Sequence, residues 1–251
     1  MMKNFISLSV IIITKNEAHN IRACLESAAW ADEIIVVDSG STDDTIAIAR
    51  EFTPQVYQHD WPGFGAQKNR ALGYASRDWV LSLDADERVT SELRSQIIKA
   101  MGSAQENGFY FPRLSQFCGQ FIKHSGWYPD YVLRLFKREK GRFSDDLVHE
   151  SVILQGPSGR LSSPLLHYSY MNEEDVSRKV EQYASAAALQ MSRNGRVITH
   201  ADAPARAGWA FFRTYFLRLG FLDGMAGFGI ARMNAWTTYL KYKKLKAMRS
   251  A

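Results

Sequence analysis

The sequence predicts an α/β protein with a mostly parallel, doubly wound sheet and a C-terminal helical extension. Apolar, β-branched segments alternate with helix-length segments over the first hundred residues, as in βαβ units. The segment Leu8–Ile13 is typical of a strand buried on both faces. After residue 200 the chain becomes basic, aromatic and rich in glycine. With 251 residues, 46% of them hydrophobic, it can bury a core without disulfides.

The elements predicted for the first part of the chain follow from apolar runs and from turn residues between them. In order they are strand Leu8–Ile13, helix Asn20–Ser27, strand Glu33–Asp38, a helix ending near Arg50, strand Gln55–His59, helix Gln67–Ala75, strand Trp79–Leu83 and helix Ser91–Met101. The same reasoning predicts shorter elements from about Gly108 onward. These are strands Phe109–Pro112, Tyr131–Lys137 and Val148–Leu154, helix Glu173–Arg193, and two helices broken near Gly224–Gly229.

The pattern of elements predicts one main domain and one extension. The main domain covers residues 1–170, with a first half of about 1–100 and a second half of about 101–170. The helical, basic and aromatic extension covers residues 171–251.

The net charge of +5 comes from the C-terminal end of the chain. Residues 201–251 carry nine Lys/Arg and two Asp/Glu, whereas residues 1–200 carry 22 and 24. Aromatic and basic residues together suit an anionic membrane interface. A helix docked on the main domain, with a solvated basic end, explains them equally well. Nucleic-acid binding is not predicted, because no recognised binding module precedes this segment.

Acidic residues follow two of the predicted parallel strands. Asp38 ends the second strand, and Asp84-Ala85-Asp86 follows the strand that begins at Trp79. Ligands of such sheets bind at the carboxyl ends of the strands. Two carboxylates at that edge can share a divalent cation such as Mg²⁺ or Mn²⁺, completed by substrate phosphates. Each acid also suits a simple turn, but their common position at one edge favours a binding site.

The loop after the first strand excludes two common classes of nucleotide-binding enzyme. It reads TKNEAHN and contains neither G-x-G-x-x-G nor G-x-x-x-x-G-K-[ST]. A dinucleotide-dependent oxidoreductase and a P-loop NTPase are therefore not predicted. A sugar-phosphate nucleotidylyltransferase is disfavoured because this loop also lacks glycine and arginine.

Three motifs, in order, resemble the beginning of inverting family 2 glycosyltransferases, which have the GT-A fold. They are IIITKNEAHNI, EIIVVDSGSTDDT and QKNRALGYASRDWVLSLDADE. Within that family, the segments WYPDYVLRLFKR, LVHE and HYSY resemble bacterial β-1,4-glucosyltransferases that act on the first heptose of the lipopolysaccharide inner core. The resemblance makes residues 1–170 a GT-A catalytic domain.

The resemblance implies roles for individual residues on the donor side. A UDP-sugar donor would be bound by Thr14, Glu17, Asp38, Lys68 and Asp84. Lys68 stands where the family commonly has arginine. Lysine keeps the positive charge but lacks the planar guanidinium that can donate two parallel hydrogen bonds. A divalent cation would be bound by Asp86 and His167. A histidine after two leucines, as at position 167, also suits ordinary core packing.

On the acceptor side, the resemblance implies that Glu150 is the catalytic base. His149 stands where the family usually has another acid, and it would orient the acceptor or Glu150. Asp145 and Asp146 are the competing candidates for the base. Acceptor-side residues would also include Trp127 and Asp130, although Trp127 suits core packing as well.

The function implied is metal-dependent, inverting transfer of a sugar, with glucose from UDP-glucose as the first candidate. The acceptor would be a membrane-linked saccharide such as lipopolysaccharide core heptose. The enzyme would lie in the cytoplasm, peripheral to the inner membrane. Two alternatives stay open: transfer of another sugar to a polysaccharide or lipid carrier, and a non-catalytic membrane-associated scaffold.

Overall fold

The computed structural model describes residues 7–103, 105–144, 151–194 and 202–250. Its strands are β1 (Leu8–Thr14), β2 (Glu33–Asp38), β3 (Val56–Gln58), β4 (Trp79–Asp84), β5 (Glu87–Val89), β6 (Gly108–Phe117), β7 (Gln120–Phe121), β8 (Asp130–Lys137), β9 (Gly141–Phe143), β10 (Val152–Leu154), β11 (Ser158–Arg160) and β12 (Leu165–Tyr170). Its helices are α1 (Ala18–Ala28), α2 (Thr45–Arg50), α3 (Phe64–Tyr74), α4 (Ser91–Ser103), α5 (Glu173–Arg193), α6 (Asp202–Phe212) and α7 (Gly224–Ser250).

The described strands form a ten-stranded sheet whose main path runs β3-β2-β1-β4-β8-β6-β12-β5. Strands β7 and β11 pair with β6, while β9 and β10 form a separate two-stranded sheet. The first four strands of the path are parallel, and β8 runs antiparallel to β4. The predicted α/β class with a doubly wound parallel sheet is confirmed, and outside these four strands β11 also pairs in parallel with β6.

Both faces of the parallel strands are covered, which explains their apolar sequences. All seven residues of β1 and all six of β2 are buried. Because side chains alternate along a strand, Val10 and Ile12 pack on one face with α1 and α4. Ile11 and Ile13 pack on the opposite face with α3. The two layers of helices hold the carboxyl ends of the strands in a fixed frame.

The second half of the chain departs more from the prediction. Strands β5 and β12 were not predicted, and they pair with each other in antiparallel register. Of the predicted strand Val148–Leu154, the structure describes only Val152–Leu154 as β10, and residues 148–150 lie outside the described ranges. Helix α5 has the predicted bounds and is capped by Asn172, whose side chain accepts a hydrogen bond from the Asp175 backbone.

Two helices are present after residue 200, as predicted, but the break between them lies before Gly224–Gly229 and not within it. Helix α7 begins at Gly224 and continues through these glycines, and the break lies before it, at residues 213–223. A Cβ atom on Gly227 would lie 1.8 Å from the carbonyl oxygen of Gly220. The glycine is therefore needed for close packing of the backbone and does not end the helix.

The chain divides into two compact units. The first comprises Met1–Arg113 and Asp130–His167, and the second comprises Leu114–Pro129 and Tyr168–Ala251. Across the described ranges, no helix combines the length and the apolar character needed to cross a membrane.

A buried carboxylate organises part of the second unit. Asp223, which is 5% exposed, accepts hydrogen bonds from the backbone N–H groups of Lys123 and His124, at 3.2 and 3.0 Å. It also accepts a hydrogen bond from the Ser125 hydroxyl at 3.0 Å and lies 3.1 Å from the His124 Nδ1 atom. This one side chain thus satisfies polar groups of the segment 123–125.

We expect Asp223→Ala to destabilise the second unit by about 2–4 kcal/mol, since several donors would lose their acceptor inside the protein. The measurement is the free energy of unfolding in urea. Asp60→Ala is the control, because the Asp60 side chain is 77% exposed and its loss should change stability by less than about 0.5 kcal/mol. Equal effects of the two substitutions would contradict this account of Asp223.

Candidate active site

Three polar residues meet at the carboxyl edge of the parallel strands. Thr14 lies opposite Asp38 in the register of β1 and β2, and Ile13 lies opposite Asp84 in that of β1 and β4. Neighbouring strands are about 4.8 Å apart, so the backbones of Asp38 and Asp84 are separated by about 10 Å. This is the edge at which the sequence predicts a ligand.

Asp38 stabilises the turn that follows β2. Its Oδ1 atom accepts hydrogen bonds from the backbone N–H groups of Gly40 and Ser41 at 2.8 and 2.9 Å, and its Oδ2 atom accepts one from the Ser41 hydroxyl. Asp38 therefore stabilises a turn, which is one of the two roles that its position in the sequence allows. A carboxylate offers about four acceptor positions, so roughly one remains for a ligand hydroxyl.

Thr14 presents a buried polar atom at the same edge. The residue is 5% exposed, and within the described part of the chain its Oγ1 atom has no hydrogen-bond partner. A buried hydroxyl without a partner costs free energy, and a ligand at this edge would supply the missing hydrogen bond.

Glu17 lies in the loop after β1, which is joined to the loop after β2. The Glu17 backbone N–H donates to the Thr45 hydroxyl at 2.8 Å, and the Asn20 side chain donates to Glu17 Oε2 at 2.9 Å. Asn16 bonds Ser41 and Thr42 at 2.8 Å each. These hydrogen bonds fix both loops beside the strand ends.

Lys68 and Arg134 hold Asp84 from two sides. The Lys68 Nζ atom lies 2.9 Å from Asp84 Oδ1, and the Arg134 Nη2 atom lies 2.5 Å from Asp84 Oδ2. Burial raises the pKa of Asp84, but the charges of Arg134 and Lys68 outweigh burial and hold that pKa well below its usual range. Asp84 is therefore an ionised hydrogen-bond acceptor, and 31% of its side chain is exposed.

The charged cluster continues beyond Asp84. Glu87 is completely buried, and its Oε1 atom lies 2.7 Å from Arg134 Nη2 and 3.8 Å from Arg113 Nη1. Its Oε2 atom accepts the Asp84 backbone N–H at 3.0 Å. Arg113 in turn donates to Asp130 Oδ2 from Nη2 and Nε, at 2.6 and 3.0 Å. We call the alternating row Lys68, Asp84, Arg134, Glu87, Arg113 and Asp130 the charge row.

Sequence reasoning singled out three members of the charge row and missed Glu87, Arg134 and Arg113. One signal was present for Arg134, because it stands between leucines in the predicted strand Tyr131–Lys137. A charged residue inside an apolar strand requires a buried partner of opposite charge. The sequence offers no comparable signal for the partner itself.

Asp86 and His167 come together next to the charge row. Strands β5 and β12 pair so that His167 lies opposite Glu87, and this brings His167 Nε2 to 3.3 Å from Asp86 Oδ2. Both side chains are partly exposed, at 17% and 24%. Neighbouring ligands of an octahedral cation with bonds of about 2.1 Å lie about 3 Å apart, so the pair fits two positions on one cation.

A cation at this pair would need ligands from a substrate. Within residues 7–103, 105–144, 151–194 and 202–250, no group of three or more His, Cys, Asp or Glu side chains could hold a metal by itself. Mg²⁺ is commonly bound by one or two carboxylates together with substrate phosphates. The donor set of Asp86 and His167 is compatible with such a site.

The other residues assigned to the acceptor side lie in the second unit or outside the described residues. Trp127 belongs to the second unit, where its ring lies 5.9 Å from Phe117 and 5.6 Å from Tyr170. This is the core-packing arrangement that the sequence left open. The proposed base and its neighbours lie outside the described residues: Asp145, Asp146, His149 and Glu150.

Comparison with solved structures identifies the fold. The crystal structure of Staphylococcus aureus TarS residues 1–349 aligns with a TM-score of 0.51, covering 97% of this chain and 91% of that one at 16% identity. The alternation of parallel strands and helices, with acids at the carboxyl edge, is accordingly that of the GT-A fold.

Sequence comparison identifies the family. Residues 9–156 match the sequence model described as glycosyl transferase family 2. An uncharacterised glycosyltransferase of Rickettsia felis is 30% identical over 95% of this chain and 89% of its own length. The lipopolysaccharide core biosynthesis glycosyltransferase LpsC of Rhizobium meliloti is 30% identical over 95% and 91%. The chain belongs to glycosyltransferase family 2, as the sequence motifs predicted.

We expect Arg134→Met to lower the free energy of unfolding by about 3–5 kcal/mol, because buried Glu87 would lose its closest cation. Arg113→Met should cost about 1 kcal/mol, since Arg113 is 26% exposed and 3.8 Å from Glu87. Urea unfolding at neutral pH measures both values. A cost for Arg134→Met no larger than that for Arg113→Met would refute the central position of Arg134.

We expect the cost of Lys68→Met to depend on pH. The depressed pKa of Asp84 stabilises the fold above the unfolded value of about 3.9, and this contribution disappears as pH falls towards the lower folded pKa. The stability difference from wild type should be largest at neutral pH and shrink below about pH 4. Urea unfolding across this range tests it, with Lys243→Met as the exposed control. A difference that does not change with pH would rule out this coupling.

Proposed function

We propose that this glycosyltransferase moves a sugar from a UDP-sugar to a membrane-linked saccharide with inversion at the anomeric carbon. Glucose is the first candidate for the sugar, and lipopolysaccharide core heptose is the first candidate for the acceptor. The name of the LpsC relative supports the acceptor class. S. aureus TarS 1–349, which shares the fold at a TM-score of 0.51 and 17% identity, was also crystallised with UDP. The proposed catalytic domain is residues 1–170.

The observation that carries the proposal is the group of polar atoms at one edge of the sheet. Thr14 brings a buried hydroxyl that has no partner among the described residues, and the hydrogen bonds that those residues make to Asp38 leave about one acceptor position on its carboxylate. Together with Glu17 they would bind the nucleoside. Ionised Asp84, fixed by Lys68, would accept a hydrogen bond from a ribose or sugar hydroxyl.

The charge row also supports the proposal of a divalent cation. It contains three cations, Lys68, Arg113 and Arg134, and three carboxylates, so it has no excess positive charge to offer a diphosphate. Asp86 and His167 would hold a divalent cation at the same edge. When bound, that cation acts as a Lewis acid on the leaving diphosphate.

On the acceptor side, Glu150 would take the proton of the acceptor hydroxyl. The hydroxyl oxygen forms the new bond to the anomeric carbon from the face opposite the diphosphate, whose bond to that carbon breaks, and the configuration inverts. His149 would orient the hydroxyl or Glu150. Asp130 belongs to the acceptor side and is fixed by Arg113, with 46% of its side chain exposed.

The proposed location is the cytoplasm, at the surface of the inner membrane. A soluble nucleotide sugar and a lipid-linked acceptor meet at that surface. The basic C-terminal part of the chain supports peripheral contact with anionic lipid. No role in nucleic-acid binding is proposed.

We expect Glu150→Gln to reduce the transfer rate by about 10²–10⁴-fold, the usual contribution of a general base. UDP binding, measured by calorimetry, should stay unchanged because the base acts on the acceptor. Asp145→Asn and Asp146→Asn are the matched controls and should retain transfer within a few-fold. A large loss in one of these, with transfer retained in Glu150→Gln, would move the base to that aspartate.

We expect Asp86→Asn and His167→Gln each to remove the Mn²⁺-dependent part of UDP affinity, since each removes a cation ligand. Calorimetric titration of UDP with and without Mn²⁺ measures this part. Asp130→Asn is the control and should bind UDP as wild type does. Unchanged metal dependence in both ligand variants would disprove the cation site, and absence of turnover with any UDP-sugar would disprove the donor class.

A further inference from the structure

Exposed apolar side chains are concentrated in one segment of the second unit. Of the twenty large hydrophobic side chains exposed in the described part of the chain, ten fall between residues 209 and 236. They are Trp209, Phe212, Phe216, Leu217, Leu219, Phe221, Leu222, Met225, Phe228 and Trp236. Single exposed apolar residues are ordinary on protein surfaces, but a cluster of this kind marks an interaction surface.

The centre of the cluster is the connection between α6 and α7. It consists of a π-helical turn at Arg213–Leu217, a short 3-10 turn at Gly220–Asp223 and the first residues of α7. We call residues 216–225 the apolar tip. Its six large apolar side chains are between 45% and 81% exposed: Phe216, Leu217, Leu219, Phe221, Leu222 and Met225.

The apolar tip is held in place by polar contacts and by close backbone packing within its own unit. Asp223 bonds the segment 123–125, and the Ser125 backbone N–H donates to the Arg218 carbonyl at 2.8 Å. Gly227 packs directly on the backbone of Gly220. Because the backbone is fixed in this way, the apolar side chains cannot turn inward without breaking buried hydrogen bonds.

The charged residues near the apolar tip indicate what kind of partner it binds. Arg213, Arg218 and Arg232 are exposed near it in the chain. Asp223 is the one acidic residue between positions 203 and 250, and it is buried. A second copy of the chain would place equal positive charges against each other in a two-fold interface. An anionic lipid surface offers both an apolar interior and negative headgroups.

We propose that the apolar tip inserts into the interface of a membrane that contains anionic lipids. Burial of the apolar side chains provides most of the binding free energy, and the surrounding arginines contact lipid headgroups. This inference rests on the proposed function, because a lipid-linked acceptor gives the enzyme a reason to bind a membrane. It adds the particular element that makes the contact.

The test compares the binding of full-length variants to vesicles by flotation. The vesicles are phosphatidylcholine alone, or phosphatidylcholine with about a third of phosphatidylglycerol. Wild type should bind the anionic vesicles more tightly, and some binding should persist when salt screens the charges. The triple variant L217S/L222S/M225S should lose about a thousandfold in partition coefficient, at about tenfold for each half-inserted side chain.

The control variant is I98S/M171S/L189S, which removes three apolar side chains that are 45–49% exposed at other positions. It should bind vesicles as wild type does, and thermal unfolding should show that both triple variants fold. Equal loss in the two triple variants, or undiminished binding by the tip variant, would overturn the proposal. So would a wild-type dimer that the tip variant dissociates while vesicle binding stays the same.

UDP binding by the same proteins separates this inference from the proposed function. Wild-type protein that binds UDP but not vesicles overturns insertion and leaves the transferase proposal intact. Wild-type protein that binds vesicles through the tip but fails to bind UDP supports insertion and counts against the proposed donor.

Discussion

Arg134 lies between two carboxylates inside the sheet, and the rest of the site is arranged around this contact. The guanidinium joins Asp84 at the end of β4 to Glu87 in β5, while Glu87 also accepts the Asp84 backbone N–H. Because buried charges are tolerated only when they are paired, these strands must keep their relative positions. The tight turn between β4 and β5 carries Asp86, so the same contact positions the predicted cation ligand.

The sequence predicted the part of the fold that local patterns determine. Apolar runs and turn residues located β1, β2 and β4, and the parallel arrangement then implied that Asp38 and Asp84 share an edge. Residues Arg134 and Glu87 are 47 positions apart, and their pairing follows from a strand register that no local pattern contains. The contact between His167 and Asp86 also depends on strand register. Periodicity could not predict this pair, but the family resemblance did.

The C-terminal part combines features of the two roles that its sequence allows, a docked helix and a membrane-contacting segment. Helix α7 buries Ile230, Ala231, Tyr242 and Leu245, as a docked helix does. The connection before it leaves large apolar side chains exposed, as a membrane-contacting segment does. Neither description covers the whole segment, because the break between the helices lies at residues 213–223, before the glycines that the sequence suggested.

The neutrality of the charge row has a consequence for catalysis. Its cations are already paired with carboxylates, and freeing Arg134 for a diphosphate would leave buried Glu87 without its closest cation, at a cost of about 3–5 kcal/mol. Recruiting Arg134 to the leaving group is therefore unfavourable. A cation held by the partly exposed Asp86 and His167 avoids that cost, since both ligands lie outside the row. Under the proposed function, the row would orient the donor site, and a cation held by the neighbouring pair would stabilise the charge of the leaving group.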